Sequence, residues 1–304
     1  MKHAPPASDR LISLSETVHV AKKSRALFVE VPQAASTAML WALLEIEGFS
    51  DSVLDTSARA DLPTRWDLVH DAAVFPLRTI RKVSSSLRRE ALTSPDWLRI
   101  VVLRDPYERL YAAWESKILL GAPGPWNEAG APLLTEADEG IDIGASFRDF
   151  VVDLETRPET WMGFPAFAPQ AGFACIDEID YTDLVLTTEV DSLVERLAAR
   201  TGLSIAPRRN QGNLGIDVSL VINDKTAGII EALYADDFHL LGMIPRNFGE
   251  PTGVQLDAVG LRLRNSMLAR NERAMLLRRD GSAGSNPTNA PRSEPVRRRN
   301  GWRT

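Results

Sequence analysis

The apolar positions switch from a strand pattern to a helical one within Ala26–Glu47, and the rest of the chain can be placed around that switch. Leu27, Phe28, Val29 and Val31 are β-branched or bulky residues in a short run, as in a strand buried on both faces. Beyond the small and hydroxyl residues of VPQAASTA, Met39, Leu40, Leu43 and Leu44 recur at helical spacing. A second such unit lies at Leu98–Leu120, where Ile100 to Leu103 read as a buried strand, Asp105 as an N-cap and Pro106 as the first helical residue. Helical spacing returns in SFRDFVVDLE, a late strand is expected over Asp183–Thr187, and the helix after it stops at Gly202. The order predicts a three-layer α/β domain with a central, mostly parallel sheet and a P-loop-like strand-turn-helix.

Residues 1–24 read as an N-terminal tail and 25–248 as the domain. Residues 249–280 read as a helical extension and 281–304 as a disordered basic tail. The stretches Ser50–Arg65 and Gly121–Pro132, the latter carrying Trp126, read as loops. On the extension, Leu256, Val259, Leu263, Met267, Ala274 and Leu277 form a stripe among arginines. Such a helix can dock on its own domain, pair with a second copy in a homodimer, or make weak contact with an anionic membrane surface. Docking or pairing is preferred.

Charge and composition narrow the function. A net charge of −6 argues against nucleic acid or heparin-like polyanions as main ligands. The single Cys175 excludes an internal disulfide and leaves no cysteine cluster for zinc, which points to a reducing compartment. The start lacks the apolar core of a signal peptide, and no segment approaches the ~20 apolar residues of a membrane span. The expectation is a soluble, cytoplasmic protein.

The turn before the first helix has the chemistry of an anion site. The first helical amides lack intrahelical partners, the helix dipole favours negative charge there, and Ser36 and Thr37 add hydroxyls. It is not a Walker A loop, because no Gly lies in the turn and no Lys precedes Ser36. Arg104 falls at the carboxyl end of the second strand, where open α/β sheets bind ligands, and its planar fork suits phosphate. His70, between the two units, has an imidazole suited to general base work near neutrality.

The turn Pro32, Gln33, Ala34, Ala35, Ser36, Thr37 resembles the 5′-phosphosulfate loop of sulfotransferases, usually Pro-Lys-x-Gly/Ala-x-Thr, with Gln33 at the lysine position. The segment Arg104-Asp105-Pro106-Tyr107-Glu108-Arg109, running on to Lys117, resembles their 3′-phosphate motif, with Ala112 in place of its serine. Further on, the pair Pro169–Gln170, Glu189 and the closing pattern IIEALYADDFHLLGM follow the layout of carbohydrate-type members. The likeness runs from about Ala26 to Met243 and stays in order throughout.

What the resemblance implies is transfer of a sulfuryl group from 3′-phosphoadenosine 5′-phosphosulfate to a hydroxyl of a carbohydrate, glycolipid or glycosylated small molecule, without a metal. His70 and Lys117 would be catalytic; Gln33, Ala34, Ala35, Ser36, Thr37, Arg104 and Arg109 would bind the donor. Glu45 and Glu47 stand next in line as bases, and Arg208 or Arg209 in the loop Ala206–Asn213 can reach the nucleotide. Two rivals remain: a catalytically impaired relative that binds the nucleotide or a partner protein, and a nucleotide kinase on a related fold, which the missing Walker lysine disfavours.

Overall fold

The computed structural model describes residues 16–49, 65–70, 75–122, 124–137, 140–206, 214–251 and 254–283. Most of the expected N-terminal tail, nearly all of the Ser50–Arg65 loop, Arg208 and Arg209, and the tail beyond Ala283 lie outside them. In chain order the strands are β1 (Val18–Ala21), β2 (Ala26–Val29), β3 (Arg78–Thr79), β4 (Leu98–Leu103), β5 (Thr135–Ala137), β6 (Gly140–Asp142) and β7 (Asp183–Leu186). The longer helices are α1 (Ser36–Glu47), α2 (Ser85–Thr93), α3 (Pro106–Trp114), α4 (Ile143–Thr156), α5 (Val190–Ala199), α6 (Asp224–Leu233), α7 (Ala235–Leu241) and α8 (Ala258–Ala283).

The central sheet has the order β3-β1-β2-β4-β7, and β5 pairs only with β6 in a separate ribbon. β2, β4 and β7 run parallel, whereas β1 is antiparallel to both β2 and β3. Reversing β1 alone therefore leaves every other strand of the sheet pointing one way, and the expected mostly parallel sheet is present. Side chains alternate between its faces. Phe28, Ile100, Val102 and Val185 pack against α1 and α5. Leu27, Val29, Val101 and Leu103 pack on the other side with Ala91 of α2, Ala174 and Cys175. A third core of aromatic and aliphatic residues joins α3, α4 and α6. The α1 stripe Met39, Leu40, Leu43 and Leu44 is wholly buried, and Gly48 at φ 79° ends that helix.

Two boundaries differ from the sequence reading. Val18–Ala21, placed in the tail, is instead a buried strand paired residue for residue with β2. A run of four residues is too short to declare itself, and its place is set by the turn that follows. There the backbone N–H groups of Lys22, Lys23 and Ser24 donate to the carboxylate of Glu47 at 3.1, 2.8 and 3.2 Å. Glu47 is only 6% exposed, so it anchors the β1–β2 hairpin rather than serving as a base. Trp126 begins a short helix, Trp126–Gly130, in the expected Gly/Pro loop.

The C-terminal helix docks on its own domain, but only part of the expected stripe takes part: Leu256 is buried in the third core, and the side chains of Ala274 and Leu277 lie outside the described ones. Val259 and Leu263 are 63% and 39% exposed. The contacts come from a neighbouring face: Arg264 Nε donates to the Leu119 carbonyl at 2.8 Å, and Asn271 Nδ2 to that of Gly121 at 2.7 Å. Leu268 closes over Gly121, where a Cβ would stand 2.2 Å from its side chain.

Removing the hairpin's acceptor gives a direct stability test. Glu47→Ala leaves three backbone N–H groups without their partner, and unfolding in urea should show a loss of about 2–3 kcal/mol. A loss below about 0.5 kcal/mol, the range of an ordinary surface substitution, would rule out this anchor.

Candidate functional site

The turn between β2 and α1 is wound tightly without glycine. Gln33 and Ala35 take φ values of 66° and 55°, a left-handed region that costs an L-residue roughly 1–2 kcal/mol. Ala34 N donates to Val31 O at 3.2 Å inside the turn. Ala35 is the N-cap of α1 and supplies no capping side chain, so the helix opens with its first amides uncapped. Ser36 is buried and Thr37 half-buried at that opening.

The second motif arrives at the same sheet edge. β2 and β4 are parallel neighbours with Val29 opposite Val101, so the turn that follows β2 and Arg104, the residue after β4, leave the same edge of the sheet. From β2 the chain crosses to β3 on one side of the sheet, and from β4 to β7 on the other. The gap between their carboxyl ends is therefore a topological switch point, the place where open α/β sheets bind ligands.

Arg104 is held from behind. Its N–H donates to Gln170 Oε1 at 3.0 Å, and Gln170 Nε2 donates to its carbonyl at 2.6 Å. Gln170 is fully buried; its own N–H and that of Ala171 donate to the two oxygens of Asp237. Burial raises the Asp237 carboxyl above its ordinary range, and these amides and the Arg109 charge oppose the shift. Arg104 Nε lies 3.4 Å from Glu108 Oε2, and the side chain borders a cleft of about 310 Å³ shared with Glu108, Tyr111 and residues 215–218. None of the turn residues lines that cleft. Glu115, just beyond α3, is buried; burial pushes its carboxyl up, against the pull of the Leu214 N–H and the Arg104 charge.

His70 closes the third side. It ends a 3-10 segment, Arg65–His70, with Nε2 2.8 Å from Thr37 Oγ1 and Nδ1 3.2 Å from Glu30 Oε1. The other Glu30 oxygen lies 3.0 Å from Nε2 of His19, a buried residue of β1. Burial alone would raise the Glu30 carboxyl, but the hydrogen bonds and charges of the two imidazoles outweigh it and hold the group at about 2. A hydroxyl, an imidazole and an ionised carboxylate thus stand in line at the helix opening, an arrangement able to move a proton.

Of the residues marked from sequence, the structure brings together Gln33, Ala34, Ala35, Ser36, Thr37, His70 and the backbone of Arg104. It does not add Arg109 or Lys117 to them. Arg109 is 1% exposed and turned inward, donating to the carbonyls of Pro32 (3.0 Å), Ala168 (2.8 Å) and Pro165 (3.3 Å), so it holds the turn from beneath. Lys117 sits in a π-helical turn, Glu115–Leu119, with Nζ 4.9 Å from the Trp126 ring centroid. It lies eight residues beyond Arg109, roughly 12 Å further along the helix axis. Glu30 and His19 were not marked. The only signal was an acidic residue interrupting the apolar run just before the turn.

Comparison of the chain with protein-family models, curated proteins and solved structures finds no match. Among the described residues, no group of three His, Cys, Asp or Glu could hold a metal ion, and no helix is long and apolar enough to cross a membrane.

Two predictions follow from this geometry. Gln170→Leu leaves the Arg104 N–H and carbonyl unpaired and should lower stability by about 2–4 kcal/mol, read by denaturant unfolding; an unchanged midpoint would show that the clamp contributes nothing. Glu30 is ionised well below its ordinary 4.5, so the stability it adds is fully present above that pH and drains away as pH falls toward about 2. Its contribution at neutral pH is on the order of 3 kcal/mol. Glu30→Gln should be less stable at neutral pH and should lose less on acidification, and parallel acid limbs for the two proteins would contradict this.

Proposed function

We propose that the protein transfers a sulfuryl group from 3′-phosphoadenosine 5′-phosphosulfate to a hydroxyl of a carbohydrate, glycolipid or glycosylated small molecule. The observation that carries this reading is the convergence of two motifs, separate in sequence, at one switch point: the uncapped opening of α1 and the strand end bearing Arg104. In this reading the 5′ side of the donor lies on the amides of the turn with Ser36 and Thr37, and Arg104 takes the 3′-phosphate as a charge-assisted, bidentate partner. His70 Nε2 receives the proton of the acceptor hydroxyl as its oxygen bonds to sulfur and the bond from sulfur to the 5′-phosphate oxygen breaks. The electrons of that bond leave on the phosphate, where the turn's donors take up the charge.

A second reading, a nucleotide-binding relative with impaired turnover, draws on one specific feature. Gln33 offers a neutral amide where a lysine would meet the leaving phosphate, and Lys117 Nζ lies 4.9 Å from the Trp126 ring centroid. The absence of such a cation costs on the order of 3 kcal/mol, or about a hundredfold in rate.

Calorimetry with adenosine 3′,5′-bisphosphate alongside ATP tests the donor site without knowledge of the acceptor. We expect the bisphosphate to bind, ATP to bind far more weakly, and Arg104→Ala to cost about 2 kcal/mol of bisphosphate affinity. Equal affinity of the variant and parent for the bisphosphate would remove Arg104 from the site. Transfer measured over a panel of hydroxyl acceptors then separates the two readings. Gln33→Lys should raise an existing rate, and Lys117→Ala should change it by less than about tenfold. Activity that appears only in Gln33→Lys would favour the impaired relative.

A further inference from the structure

Thr37, His70, Glu30 and His19 come from α1, the 3-10 segment, the end of β2 and β1, and form one continuous line of polar contacts: hydrogen bonds at its two ends and the His70–Glu30 ion pair between them. Exposure falls along it: the His70 side chain is 37% exposed, that of Glu30 17% and that of His19 6%. An ionised carboxylate can only accept hydrogen bonds. Each ring nitrogen facing Glu30 must therefore carry a proton, which means Nδ1 of His70 and Nε2 of His19.

The two histidines are thereby set in opposite tautomers. Nδ1 of His19 is buried with no partner among the described residues. An N–H there would be an unsatisfied buried donor, costlier than an idle lone pair, so His19 presents a fixed Nε2–H to Glu30. In neutral His70 the lone pair is left on Nε2, where it accepts the Thr37 hydroxyl proton at the mouth of the turn. Had Glu30 been absent, nothing among the contacts described would distinguish the two His70 tautomers.

We propose that Glu30 is the positioning residue of His70, fixing its Nδ1–H tautomer so that the Nε2 lone pair faces Thr37 and the turn, with His19 holding the second oxygen of Glu30 in place. When Nε2 takes a proton, the charge of Glu30 lies against the new imidazolium and stabilises it. Thr37 has a single hydroxyl proton, and in the Nδ1–H tautomer of His70 it donates that proton to Nε2. A phosphate drawing that proton away leaves Nε2 open to an incoming hydroxyl. This last step rests on the sulfuryl-transfer reading; the tautomer assignment does not.

The test uses the full chain labelled with ¹⁵N-histidine. Long-range proton–nitrogen correlation above the ordinary histidine titration range reports which ring nitrogen is protonated, and His70→Gln identifies the signals of that residue. We expect a pyridine-like Nε2 and a pyrrole-like Nδ1 at His70, and a change in the Nε2 shift when adenosine 3′,5′-bisphosphate is added. In Glu30→Gln the amide offers one acceptor and one donor, so one histidine must turn a lone pair to it; His70, the more exposed, should lose its Nδ1–H population. Glu30→Asp should keep it.

Turnover should fall ten- to a hundredfold or more in Glu30→Gln, with bisphosphate affinity unchanged within about twofold and partial rescue in Glu30→Asp. A parent protein whose His70 is protonated on Nε2 alone overturns the proposal, as does a Glu30→Gln protein with the same His70 tautomer and the same turnover. If Glu30→Gln does not fold, the parent spectrum and Glu30→Asp decide. Failure of the bisphosphate to bind would instead refute the sulfuryl-transfer reading and leave the tautomer result standing.

Discussion

The guanidinium of Arg109 is the constraint on which the site depends. A charge removed from water must be surrounded by acceptors, and breaking one such arrangement typically costs several kcal/mol. Arg109 meets the requirement with three backbone carbonyls from two separate segments, Pro32 of the turn and Pro165 and Ala168 of the loop before Gln170. Burial lowers the affinity of the guanidinium for its proton, and the nearby Tyr234 and Asp237 oppose that shift. The same loop then delivers Gln170 to the backbone of Arg104, and Asp237 of α7 accepts the Gln170 N–H in turn. One buried cation and one buried amide thus fix the turn, the strand end and α7 as a single unit.

The strands and helices that bury apolar surface on every side were the legible part. β2, β4 and α1 announce themselves because their periods are uninterrupted and both sheet faces are covered. β1 was not legible: its pairing is dictated by the hairpin, with Arg25 at φ 48° and three amides on the carboxylate of a residue more than twenty positions away. The docking face of α8 was misplaced for a similar reason. Arg264 and Asn271 read as solvent residues in a hydropathy pattern, yet they turn to carbonyls that the end of the π-helical turn leaves open.

The site was legible as a location more than as a set of roles. Spacing put Arg104 at a strand end and the turn at a helix start, and strand register brings them together. Spacing could not tell which arginine of the 104–109 segment faces outward. On α3 that depends on the curvature of the chain around Pro165–Gln170, which no local pattern encodes. Gln170, Tyr234 and Asp237 were visible as landmarks of a layout, but their chemistry is a clamp: Tyr234 donates to the Phe167 carbonyl at 2.6 Å while Asp237 receives two amides. Glu30 and His19 had no motif at all, because their significance lies wholly in which ring nitrogen meets which oxygen.

The turn itself shows how such contacts set a backbone. Gln33 and Ala35 carry side chains in a region that glycine enters at no steric cost, so the local sequence opposes the conformation it adopts. Conformations of this kind persist when the surroundings over-determine them. Here Arg109 grips the carbonyl of Pro32 on one side of Gln33, Ala34 is buried to 1% exposure with its N–H on Val31 O, and α1 is pinned by its fully buried stripe. These contacts hold the turn in place, and α1 opens without a side-chain cap. A glycine at 33 would relieve the strain there, whereas one at 35 would also give up the packing of the Ala35 methyl against the core of α1 and α5. That the strain is retained makes the open helix start a property imposed by the fold rather than by the six residues that form it.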